Sequence, residues 1–132
     1  MRYTVLLMLL GLVCLSVVGC GGYKYGTYGE VFENANWTYK DGYSGRWYCE
    51  IHANGEWYGN FSGAGTGIDT GLRVREGKGN AIVYLPDNAD SRYVKVGQKS
   101  DNGHFSIRIV GPEHTGEVVT GQGKMEIEST QK

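Results

Sequence analysis

Residues 43–67 read YSGRWYCEIHANGEWYGNFSGAGTG, tryptophans and tyrosines set among glycines and closing on a Gly-x-Gly-x-Gly run. Such a run is a phosphate loop, a low-complexity tract or part of a β-structure. A dinucleotide fingerprint needs Gly-x-Gly-x-x-Gly between a strand and a helix whose first amides hold the phosphate. Gly63-Ala64-Gly65-Thr66-Gly67 has a different spacing, and the IDTGLRVRE that follows alternates with period two instead of opening a helix. Register decides between the other two. A three-residue loop at Ala53-Asn54-Gly55 sets Ile51 opposite Trp57, Cys49 opposite Gly59, Trp47 opposite Phe61 and Gly45 opposite Gly63. One face is then wholly apolar or glycine, and the other carries His52–Glu56, Glu50–Tyr58, Tyr48–Asn60 and Arg46–Ser62. A two-residue loop pairing Ala53 with Glu56 would set the aromatic face of one strand against the polar face of the other. The stretch therefore predicts a bulged hairpin with Gly55 left-handed.

The same alternation runs downstream. Ile68, Leu72 and Val74 are expected inward and Asp69, Arg73 and Arg75 outward; Val94 and Val96 inward against Tyr93 and Lys95. Phe105, Ile107 and Ile109 oppose His104, Ser106 and Arg108, while Val119, Gly121, Gly123, Met125 and Ile127 oppose Lys124, Glu126 and Glu128. Residues 80–85, NAIVYL, do not alternate, which predicts a strand covered on both faces. Turn signals recur every eight to twelve residues or so, and no segment after residue 19 reads as a long helix. The fold expected is all-β: an antiparallel meander of seven to eight strands forming a closed or nearly closed barrel, with a sandwich as the alternative. Its inward glycines let the backbone bend and let tryptophan lie across it.

The chain opens MRYTVLLMLLGLVCLSVVGC, a single arginine and then an apolar run too short for a confident membrane span. Cleavage after Gly19 takes Arg2 from the 13 basic residues and none of the 14 acidic ones, leaving net charge −2. Nucleic-acid binding is not expected, because no basic stripe neutralises phosphate. Of the three cysteines, Cys14 lies in the leader and Cys20 at its end, so Cys49 stands alone in the domain, with no intramolecular disulfide or cysteine metal site. Its neighbours Trp47 and Ile51 predict a buried thiol. His52, His104 and His114 are scattered without metal-ligand spacing, and no nucleophile elbow or triad pattern is present, so neither a metal, a cofactor nor an enzymatic activity is expected.

Val17-Val18-Gly19-Cys20 resembles the lipobox of bacterial lipoproteins. The resemblance implies cleavage before Cys20, acylation of its sulfur and amino group, and anchoring to a bilayer, which two or more chains make stable. Gly21 in place of an aspartate implies the outer membrane or cell surface over the inner membrane. The domains expected are a signal peptide over 1–19, a lipidated cysteine and glycine-rich tether over 20–35, and a β-domain over 36–132. Tyr43-Ser44-Gly45-Arg46-Trp47 is similar to the opening strand of barrels in transferrin-binding-protein-B-like lipoproteins, and Gly111-Pro112-Glu113 to a turn near their end. Gly45-Arg46-Trp47 also resembles the G-x-W of lipocalins and avidins, and residues 88–94, NADSRYV, a piece of avidin. All imply a meander barrel and none supplies binding residues.

Together these readings give a noncatalytic, membrane-tethered binding module with Tyr48, Tyr58, His52 and Glu56 as its interaction face. The alternatives are a lipocalin-like carrier of a small apolar ligand and an inhibitor of an enzyme such as lysozyme.

Overall fold

The computed structural model of the chain describes residues 27–34, 45–66 and 69–132. The leader, the lipobox with Cys20 and the first part of the expected tether lie outside them. The described residues form strands and no helix: β1 Val31–Glu33, β2 Tyr48–His52, β3 Glu56–Ala64, β4 Arg73–Lys78, β5 Ala81–Tyr84, β6 Ser91–Gln98, β7 His104–Gly111, β8 His114–Thr115, β9 Val119–Gln122 and β10 Glu126–Gln131.

These strands build two antiparallel sheets. One runs β1-β5-β2-β7, with β8 and β9 end to end along the far side of β7; the other runs β10-β6-β3-β4. The sheets pack face to face as a sandwich and do not close into a barrel, which corrects the expected strand count, the meander order and the closure. The reason lies in the turns. The chain passes from one sheet to the other after β2, β4, β5, β6 and β9, so most sequence neighbours face each other across the core instead of pairing. Two of these crossings hold each other: the Ala53 amide donates to Asn80 Oδ1 (3.1 Å) and the Gly79 amide to the Gly55 carbonyl (2.9 Å).

The predicted hairpin is therefore absent. β2 pairs with β5 and β7, whereas β3 pairs with β4 and β6. Gly55 is not left-handed; Gly45, with φ of 89°, is. The inward faces nonetheless match the alternation. Cys49 and Ile51 from one sheet meet Trp57 and Phe61 from the other, and Val94, Val96, Phe105, Ile107, Ile109 and Ile127 complete the buried core. Two inward readings fail. Met125 is 44% exposed in the turn before β10, and β4 is turned over, leaving Leu72 and Val74 exposed at 58% and 61%. Gly77 sits on the inner side of β4 because the Trp57 indole lies against it, and that parity turns Val74 outward.

Residues 27–34 lie in the segment expected to be a tether, yet β1 pairs with β5 along Val31–Val83. The Tyr28 hydroxyl reaches the carbonyls of Phe61 (2.9 Å) and Gly71, its ring lies beneath Arg73 (4.6 Å), and Arg75 Nε donates to the Gly29 carbonyl (2.8 Å). Residues 81–85 are fully buried, as their lack of alternation predicts. One face of β5 joins the core, and the other packs with Tyr48, Val110 and Phe32 in a second cluster.

The outer edge of β4 is guarded. The Gly79 bond to Gly55 shows that the odd-numbered residues of β4 turn their main chain toward β3, so Val74, Glu76 and Lys78 turn theirs outward. Of these outward groups, the Lys78 amide is taken by Glu33 Oε1 (3.1 Å) and the Val74 carbonyl by Arg75 Nη1 (2.8 Å). Charged side chains on an edge strand oppose pairing with another chain.

Candidate functional site

The four residues expected to form one interaction face are divided by the sandwich. Because Cys49 and Ile51 point inward, Tyr48, Glu50 and His52 lie on the outer side of the six-stranded sheet. Tyr58 and Glu56 lie on the outer side of the other, on the far side of the molecule. Tyr48 is 4% exposed within the second apolar cluster, so it offers no surface. His52 faces Ser106 across β7, not Glu56.

Around His52 the structure assembles a polar group that the alternation alone did not predict. Glu50 is 2% exposed and receives a forked pair from Arg108, Nη2 at 2.6 Å and Nε at 2.8 Å, with His52 Nε2 at 3.7 Å. A buried carboxylate needs such a partner, since leaving either charge alone in the interior is costly. Beyond it, His52, Asn54, Asn80, His104, Ser106 and Thr120 line an open recess of about 250 Å³. No group of three metal-ligating side chains occurs among the described residues.

At one end of the sandwich, Arg92 is 3% exposed and closes over Trp47, its guanidinium 3.8 Å from the ring centroid. Nε donates to the Pro86 carbonyl (2.8 Å), Nη1 to Gln131 Oε1 (2.8 Å) and Nη2 to the Asp87 carbonyl (2.7 Å). Burial pulls the guanidinium below its usual pKa and the Asp87 charge opposes this. Asp87 also accepts the Trp47 amide (3.1 Å) and pairs with Arg46 at 2.6 Å, while Arg46 lies 4.7 Å above the Tyr84 ring. With each of its three nitrogens bonded to the protein itself, this arrangement closes the core. The sequence signal was the Gly45-Arg46-Trp47 triplet, but nothing in the sequence pointed to Arg92 as its partner.

Cys49 is fully buried, and desolvation pushes its thiol far above the ordinary 9.0. The native protein is expected to resist iodoacetamide at Cys49 until denatured; labelling at the rate of a free thiol would show the site is open. A raised folded-state pKa in an acid group contributes stability present below the unfolded pKa and lost as pH rises past it. Stability should therefore fall above about pH 9, by at most ~1.4 kcal/mol per pH unit from this group. A Cys49→Ala variant, compared over the same range, should show a shallower decline.

On the four-stranded sheet the outer face is open. Tyr58 is 36% exposed and lies over Gly97, where a Cβ would stand 2.6 Å from its Cζ and hydroxyl. Tyr58 shares a surface recess of about 460 Å³ with Gln98, Lys99, Lys124, Met125 and Glu126. Lys99 pairs with Glu76 (3.1 Å), which raises its pKa, and Lys95 with Glu126 (3.7 Å). The Tyr93 hydroxyl is bonded to Glu128 and its pKa is raised in consequence.

A third opening lies where the sheets part. Ile109 and Val119 form its floor, and His114, Glu117, Glu128 and Thr130 its sides, around about 430 Å³. Comparison with family models, curated proteins and solved structures finds no match to the chain.

Proposed function

We propose that the protein is a noncatalytic binding module of a bacterial cell envelope, tethered to a bilayer through acylated Cys20 and displayed at the outer membrane or cell surface. The observation that carries the binding part is the patch formed by Tyr58 and Met125, 36% and 44% exposed, on the open face of the four-stranded sheet. An exposed tyrosine sharing a recess with a methionine is of the composition enriched in protein interfaces. Between the sheets the large side chains of Trp57, Phe61 and Phe105 are 0–2% exposed, which favours binding on the surface over a lipocalin-like interior site. Tethering rests on the lipobox.

Two measurements test the two parts. Cys20→Ser is expected to move the protein from the membrane pellet to the soluble fraction and to abolish incorporation of an alkyne-bearing fatty acid; a labelled, pelleted variant would refute the anchor. A benzophenone side chain at position 125 should give a discrete photo-adduct in intact cells that disappears with Tyr58→Ser. An adduct indifferent to Tyr58, or none, would remove this patch as the binding face.

A further inference from the structure

The groove between β10 and the β8–β9 edge has the make-up of a strand-addition site. Among the described residues β10 pairs on one side only, with β6. The Lys99 amide donates to the Glu56 carbonyl (3.0 Å), which fixes the alternation along β6: Lys95, Gly97 and Lys99 turn their main chain to β3, and Val94 and Val96 turn theirs to β10. Ile127 and Ser129, opposite Val96 and Val94, are therefore bonded to β6. The amides and carbonyls of Glu128 and Thr130 point the other way, into the groove, with no partner among the described residues. Across from them, β8 and β9 are interrupted at residues 116–118, and Val118 is left 60% exposed.

We propose that this groove takes an extended, lysine- or arginine-rich segment of a partner protein, which adds to β10 as a fifth strand of its sheet. Main-chain bonds to Glu128 and Thr130 supply pairing, Ile109 and Val119 receive alternate apolar side chains, and Glu117 and Glu128 attract the cations. Among the described residues no lysine or arginine lines the groove. A second copy of the chain is a poor occupant. Two β10 edges meeting about a two-fold axis would bring like charges of Glu126 and Glu128 together. The basic β4 edge has the right charge, but its outward amide at Lys78 and carbonyl at Val74 are already engaged. The proposal rests on the reading of the protein as a binding module, but on neither the Tyr58 patch nor lipid at Cys20.

The test uses the detergent-solubilised full chain and a fluorescein-labelled eight-residue peptide of alternating lysine and valine, read by anisotropy. Saturable binding is expected, weakened about tenfold or more when alternate peptide amides are N-methylated, and weakened strongly at about 0.5 M salt. Thr130→Pro removes an amide that faces the groove and none that faces β6, so it should weaken binding about tenfold while leaving the near-ultraviolet circular dichroism unchanged. Should that variant fold poorly, Glu117→Gln, at an exposed position, should lower both affinity and salt dependence. Absence of binding overturns the proposal, as does equal binding of the methylated peptide or of Thr130→Pro. None of these failures touches the tests at Cys20 and Tyr58.

Discussion

Replacing Arg92 by methionine is expected to destabilise the domain by about 3–5 kcal/mol, read as a lower urea midpoint at unchanged slope. Methionine fills much of the same volume over Trp47, so the loss isolates the polar groups. The Pro86 and Asp87 carbonyls and Gln131 Oε1 each lose their guanidinium donor. A buried acceptor left unpaired costs about 1–3 kcal/mol; the Pro86 carbonyl is such an acceptor, and the part-buried Asp87 carbonyl and Gln131 Oε1 add to it. Against a typical domain stability of about 5–15 kcal/mol this is a large fraction. Arg92→Lys should recover only part of it, because an ammonium cannot stack as a planar fork and reach three acceptors at once. A shift below about 1 kcal/mol for the methionine variant would mean the carbonyls find water and that the seal is not a seal.

The second large effect is expected at Gly77. A Cβ there would stand 2.3 Å from Trp57 Cζ2, and Trp57 is fully buried against Phe61, ring centroids 6.3 Å apart at 78°. In a close-packed core neither the strand nor the indole has room to move, so Gly77→Ala should cost about 3 kcal/mol or more. Trp57→Ala alone should cost about 3–5 kcal/mol through the cavity it leaves. The pair must couple: in Trp57→Leu the clash is gone, and adding Gly77→Ala should cost far less than it does in the wild type. Additive losses in that cycle would show that Gly77 is required for something other than the tryptophan. Trp57 Nε1 is buried with no hydrogen-bond partner among the described residues, so Trp57→Phe, which deletes that donor, should be the mildest change at this position.

Alternation in the sequence identifies inward residues well and their partners poorly. Phe105, Ile107 and Ile109 face the core as their spacing predicts, and so do Val94, Val96, Trp57 and Phe61. The hairpin failed for a physical reason: Cys49 and Ile51 form the same apolar set with Trp57 and Phe61 whether they sit beside one another in a sheet or opposite one another across a core. Only the path of the chain at Ala53–Gly55 distinguishes these, and three turn residues carry little information about it. The face of β4 was misread because Val74 competes with Gly77, and the need for a hollow under Trp57 decides the parity. Tyr48 and Glu50 were read as solvent-facing since a polar alternation normally means water. Here a second apolar cluster and Arg108 cover them. The groove at β10 was not legible, because unpaired edges depend on which strands end a sheet.

The guard that Glu33 and Arg75 place on β4 gives the four-stranded sheet a direction of growth. A strand arriving at β10 finds amides and carbonyls to receive it, while on the far side the Lys78 amide and the Val74 carbonyl are already engaged. Linear assembly by this sheet would require each molecule to lend one edge and accept at the other. With that edge guarded and β10 open, strand addition as proposed is expected to give a one-to-one complex and not a fibre.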